Sequence, residues 1–239
     1  MINKLKSHQY FKKVEELLFD IRDTQKENIY EAGQIIANSI MNDGILQSFG
    51  SGHSYAAAIE IADRAGGLIP SKVIRDPAQG EYERIEGVGE QLTTKLDIQE
   101  NDCFVIISNS GRNPLVIELA EWVKKHNNKL IVVTSLDVSK GLTSRHSSGK
   151  NLYEYADVIL DNRGEEGDAV IDIPELPVKV AATSSISAAL LLQSAVLEAI
   201  EIMLEQNFEP PILMSANVDG GPEYNQRLRE KYAHRIYRF

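Results

Sequence analysis

The chain has 239 residues, 43% of them hydrophobic and 25% charged, with a formal net charge of -10 at pH 7. That balance suits one large globular domain with room for a sizeable core, and its acidity argues against a nucleic-acid-binding surface. The single cysteine, Cys103, excludes an internal disulfide, and the five histidines (His8, His53, His126, His146, His234) show no ligand spacing, so neither a metal nor another cofactor is expected.

Residues 3–43 carry apolar side chains at helical spacing, among them Phe11, Val14, Leu18 and Ile21, then Ala32, Ile36, Ala37 and Ile40. Asp23-Thr24 marks a break between two helices, and Asn42-Asp43-Gly44 ends the second. Residues 1–43 are therefore expected as an N-terminal helical extension. Its apolar stripes suit burial against a second copy of the chain, which implies a homodimer or homotetramer.

From residue 45 apolar runs alternate with helical stretches. A strand leads into Gly50-Ser51-Gly52-His53-Ser54 and a helix over residues 54–65, closed by Gly66-Gly67. Residues 68–100, punctuated by Pro70, Pro77, Gly80, Gly87 and Gly89, give no clear periodicity. Strands follow at 103–107, 129–134, 157–161 and 169–173, with helices over 114–126 and 184–206. Residues 44–206 form the expected main domain. Residues 207–239, with Pro210-Pro211, Gly220-Gly221-Pro222 and a basic-aromatic end, read as a C-terminal arm on the surface or on a partner subunit. No stretch reads as a targeting signal or a bilayer span, so the expectation is a cytoplasmic protein without membrane contact.

Continuous apolar strands separated by helices predict an α/β fold, a three-layer doubly wound parallel sheet. Ligands of such sheets sit beyond the C-terminal strand ends. That rule selects residues 50–54, 108–113 and 134–135, all rich in glycine, hydroxyl or amide groups. Glycines allow close backbone approach, and hydroxyls with backbone N–H groups hold an anion without a buried lysine. The alternative role for the serines is to cap the helix that begins at Pro114.

Ser108-Asn109-Ser110-Gly111-Arg112-Asn113 resembles the serine-rich phosphate loop of the sugar isomerase (SIS) domain family, and Gly50-Ser51-Gly52-His53-Ser54 resembles its first turn. Thr134-Ser135 corresponds to its third loop. The resemblance spans about residues 30–205, includes the phosphoheptose isomerase and N-acetylmuramic acid 6-phosphate etherase branches, and is closest to a further bacterial group. That group is marked by Ser144-Arg145-His146-Ser147-Ser148-Gly149-Lys150, Asp157 to Asn162 and Gly167-Asp168-Ala169. It implies a flavodoxin-like sheet and a phosphosugar ligand held by Gly50, Ser51, Gly52, Ser54, Ser108, Asn109, Ser110, Asn113, Thr134 and Ser135. Asn113 stands where the family has Ser or Thr.

The catalytic glutamate of both branches lies ten residues after the loop serine, where this chain has Arg64. The isomerase's histidine on the last helix falls near Gln193 and Ser194. A base would come from elsewhere, and the candidates are Glu83, Glu86 and His53. Arg145, His146 and Lys150 either contact a second anionic group or form an exposed basic loop. The reading is a phosphosugar-binding protein, an isomerase of an aldose or ketose phosphate. A non-catalytic sugar-phosphate sensor and a lyase or deaminase of an amino-sugar phosphate are the alternatives.

Overall fold

The computed structural model describes residues 5–236. Residues 3 and 4 of the expected first helix, and Tyr237 to Phe239 of the basic-aromatic end, lie outside the described residues. Five parallel strands form one sheet: β1 (Leu46–Gly50), β2 (Ser71–Ile74), β3 (Cys103–Ile107), β4 (Lys129–Thr134) and β5 (Val158–Asp161). Their order is β2-β1-β3-β4-β5, the flavodoxin-like doubly wound arrangement. The helices are α1 (Lys6–Thr24), α2 (Lys26–Met41), α3 (Ser54–Ile59), α4 (Val88–Thr93), α5 (Pro114–Lys125), α6 (Leu136–Gly141), α7 (Ser184–Glu205) and α8 (Gly221–Ile236).

The apolar runs dictate two cores. Side chains alternate across a strand, so Cys103, Val105 and Ile107 join the cluster formed with α1, α2, α3 and α7. Phe104 and Ile106 instead join Leu115, Leu119 and Val123 of α5. Leu130 and Val132 of β4 take the second side, and Ile131 and Val133 the first. The sheet is thus covered on both faces, which is why β3 and most of β4 read as unbroken apolar runs.

α2 and α7 pack closely over the first face. A Cβ on Gly33 would stand 2.6 Å from the Glu198 Cβ, so the helices meet where only glycine fits. The apolar stripe of α2 is therefore buried within its own chain: Ala32, Ile36, Ala37 and Ile40 are all at most 1% exposed. α1 differs, leaving Phe11 and Phe19 in solvent. α7 also departs from expectation, because its 22 residues are long and apolar enough to cross a bilayer. Half of its apolar window is buried inside the fold, as for any core helix.

Other departures have local causes. α3 stops at Ile59 rather than residue 65; a turn follows in which Asp63 adopts a left-handed φ of 49°. β2 is a four-residue edge strand containing Ser71 and Lys72, too short and polar to announce itself. The apolar stretch at 169–173 does not join the parallel sheet. Its β6 (Ala169–Ile171) pairs antiparallel with β7 (Val180–Ala182) in a separate hairpin.

The C-terminal stretch holds a helix that packs on its own chain. Tyr232, with Leu228 and Ile236, meets Ile69 and Leu213. Arg235 Nη2 donates to both oxygens of Asp102 at 2.9 and 2.8 Å, with both side chains buried. Asp102 also accepts from the Ile45 and Gln99 backbone N–H groups and from Gln47 Nε2, so its charge is fully engaged at the N-terminal end of the sheet. Beside it, burial pushes the Cys103 thiol up to about 12, which makes it an inert core residue.

Candidate functional site

At the C-terminal ends of β1, β3 and β4 lies a cavity of about 620 Å³. Its first wall is the turn from β1 into α3. Glycine is obligatory at Gly50, where a Cβ would fall 2.3 Å from the Ser54 carbonyl oxygen. The turn uses its own donors: the N–H groups of Ser54, Tyr55 and Ala56 donate to the carbonyls of Ser51, Gly52 and His53. What this loop offers the cavity is therefore mainly side chains, those of Ser51, His53 and Ser54.

Ser51 Oγ donates to Asp76 Oδ2 at 2.8 Å, and Asp76 also accepts from the N–H groups of Ala78 and Gly80. One carboxylate thus folds residues 76–80 back over the first turn and brings Gln79, Gly80 and Glu81 to the cavity. Asp76 escapes a reading of the sequence because its partner Ser51 is 25 residues away.

The second wall is residues 108–113. No side chain caps α5, whose N-cap Asn113 is extended. The capping alternative for Ser108 and Ser110 therefore fails, and both line the cavity. Ser108 Oγ accepts from Gly111 N–H at 3.2 Å, leaving its own proton for a ligand. Asn109 is held by its neighbours: Thr134 Oγ1 and Ser135 N–H donate to its carbonyl, and Asn162 Nδ2 donates to its Oδ1 at 2.7 Å. Thr134 is thus a buried tie behind the site and does not line the cavity. Ser135 does, with its hydroxyl donating to the Gly164 carbonyl.

Asn113 sits between opposite charges. Its Nδ2 donates to Glu83 Oε1 and its Oδ1 accepts from Arg145 Nη1, each at 2.8 Å. Both Asn113 and Glu83 line the cavity. Of the other candidate bases, His53 lines it too, whereas Glu86 lies outside and accepts from Ser147 N–H at 2.6 Å. Arg145 reaches the site only through Asn113. His146 faces away, hydrogen-bonded to Ser148 Oγ with its Nε2 3.8 Å from Glu118, and Lys150 lies over the Tyr155 ring.

The far wall is residues 165–168, beyond the three loops expected from the sequence. Asp168 accepts from Thr183 and Ser184 N–H and from Ser184 Oγ, capping α7 while facing the cavity. Glu81, Glu83, Glu165, Glu166 and Asp168 make the lining acidic, and no lysine or arginine belongs to it. Glu165 is countered by Lys179 at 2.6 Å. Among the described residues no group of three or more His, Cys, Asp or Glu side chains is placed to hold a metal ion.

Arg64 stands outside the cavity, ion-paired with Glu60. Gln193 Nε2 on α7 donates to the Glu60 carbonyl at 2.7 Å. Both residues secure the end of α3 rather than face a ligand.

The family pattern described as the SIS domain matches residues 9–135. A UPF0309 protein of Listeria monocytogenes is 60% identical over 228 residues, covering 95% of this chain and 97% of that protein. A UPF0309 protein of Halalkalibacterium halodurans is 38% identical over 236 residues, covering 95% and 94%. Among solved structures, phosphoheptose isomerase from Neisseria gonorrhoeae superposes with a TM-score of 0.59 at 18% identity, over 82% of this chain and 97% of that one. The Vibrio vulnificus NanR protein complexed with ManNAc-6P superposes with a TM-score of 0.53 at 15% identity, over 97% and 69%. By the family match and these relatives, the chain belongs to the SIS domain family, among its UPF0309 proteins.

Proposed function

We propose that the cavity binds a phosphosugar and that the protein isomerises an aldose or ketose phosphate. The reading is supported by the SIS family match, by the likeness to phosphoheptose isomerase, and by the first two loops, which bring the hydroxyls of Ser54, Ser108 and Ser110 to one cavity. Hydroxyl donors suit a phosphate dianion, and Thr134 and Asn109 brace the loops that carry them.

One observation carries the catalytic part: the Glu83 carboxylate is in the same cavity, fixed through one oxygen by Asn113. Its second oxygen is left to take a proton. In an aldose phosphate, Glu83 removes the C2 proton and the electron pair forms the enediol. The same carboxylic acid returns the proton to C1, while the hydroxyl proton moves from O2 to O1. His53, which lines the same cavity, serves that second transfer or ring opening.

A Glu83→Gln variant, assayed in deuterated water with candidate aldose phosphates, is expected to lose C1/C2 exchange by about 10²-fold or more. It should still bind the phosphosugar. Undiminished exchange would remove Glu83 from the mechanism.

A second reading, a sugar-phosphate sensor, is favoured by Arg64. It occupies the position of the relatives' glutamate, yet it lies outside the cavity and pairs with Glu60. Binding without exchange in the wild-type protein selects that reading, and release of ammonia would select a deaminase. In either case the ligand is a small sugar phosphate, and we place the protein in the cytoplasm.

A further inference from the structure

Three arginines gather at the Asn113 edge of the cavity. Arg112 immediately precedes Asn113, Arg84 follows Glu83, and Arg145 is stitched to the Arg112–Asn113 segment. Its N–H donates to the Arg112 carbonyl at 2.9 Å and its Nη1 to Asn113 Oδ1. Their charges are close enough to oppose one another. Partial desolvation first, and then Arg112 and Arg84, hold the Arg145 guanidinium below its ordinary value, with Glu83 the one carboxylate acting against them.

Among the described residues none of the three forms an ion pair. They are absent from contacts that otherwise engage Arg22, Arg64, Arg163 and Arg235. Arg112 Nε is buried with no hydrogen-bond partner at all. A chain with a net charge of -10 thus leaves three neighbouring guanidinium groups without an ion pair. A guanidinium fork fits a carboxylate or phosphate in two-point contact.

The cavity lining itself, which holds no arginine or lysine, is unsuited to a second anion, so such a group would have to extend past Asn113 to the arginines at its edge. Its far wall presents Glu165, Glu166 and Asp168, and the serine loops are already assigned to the phosphate. We propose that Arg84, Arg112 and Arg145 form a second anion subsite beside Asn113, so that the ligand is a phosphosugar bearing a further carboxylate or phosphate. The inference rests on the phosphosugar reading above and narrows it to doubly anionic sugars. It also revises the sequence-based basic trio, keeping Arg145 and replacing His146 and Lys150 with Arg84 and Arg112.

Calorimetric titration of the full chain with a hexose 6-phosphate, the matching aldonic acid 6-phosphate and the hexose 1,6-bisphosphate tests this. At least one doubly anionic ligand is expected to bind about tenfold tighter than the monophosphate, the gain from one charge-assisted hydrogen bond. Which of the two does so separates carboxylate from phosphate recognition. Arg84→Gln and Arg145→Gln should each bring that affinity ratio down toward one. A wild-type ratio near one overturns the subsite, as do variants that weaken all three ligands by one common factor, since the arginines would then hold the single phosphate. The phosphosugar reading is checked separately by monophosphate binding and its loss in Ser110→Ala. It can therefore stand when the subsite falls, and if no sugar phosphate binds, both fall.

Discussion

Asn113 illustrates how one side chain can set the geometry of a site without being its reactive group. Its amide has one donor end on Glu83 and one acceptor end on Arg145, so flipping it would break both contacts. In Asn113→Ala the Glu83 carboxylate loses its fixed oxygen and faces the cavity in several rotamers. The expected outcome is a fall in deuterium exchange of about tenfold, the equivalent of about 1.4 kcal/mol from one hydrogen bond to a charged group. Phosphosugar affinity should change less, because the serine donors are untouched. Exchange at the wild-type rate would show that Glu83 needs no such anchor. Asp76 works in the same way on the other side, where three donors converge on one carboxylate.

At the scale of elements, what was readable follows from burial. β3, β4 and β5 are largely apolar, β1 is buried throughout although it carries Gln47 and Ser48, and α5 and α7 have clear ends at Pro114 and beyond Glu205. β2 was hidden because an edge strand of Ser71-Lys72-Val73-Ile74 needs only a half-apolar sequence. α4, six residues entered through a left-handed Gly87, lacks the length over which helical spacing can be counted. The two serine loops were legible because each follows an obvious strand. The wall at 165–168 and the Asp76 turn were not, since each is placed by partners 14 to 25 residues distant.

The helices also leave unfinished business at the surface. Ile186, Leu190, Leu197 and Leu204 of α7 are at least 37% exposed, and Phe11 and Phe19 of α1 more so. Large apolar residues repeated along one helix mark an interface more often than a solvated face. We infer that they meet in a homodimer or homotetramer. Light scattering on the purified protein is expected to give a multiple of 26.6 kDa, with Leu197→Arg shifting the mass toward the monomer. A monomeric wild-type protein would dismiss the interface.

For the molecule as a whole, Asp102 with Arg235 is a buried ion pair between distant parts of the chain. Both are at most 2% exposed, and breaking such a pair leaves an uncompensated buried charge. Arg235→Ala is expected to cost about 3–5 kcal/mol of stability, read as a lower urea midpoint. The double variant Asp102→Leu with Arg235→Met should recover part of the loss. A midpoint unmoved by Arg235→Ala would mean the pair contributes little.

That same pair has a consequence for how the chain is made. Asp102 introduces β3, the middle strand, yet its counter-charge arrives 133 residues later. A ribosome that has delivered both cores has still not delivered the partner of the charge beneath them. The sheet can collapse early, but the two-point ion pair of Asp102 forms only once α8 emerges. A chain cut short before Arg235 is therefore expected to unfold at a lower urea midpoint than the full chain, as Arg235→Ala does.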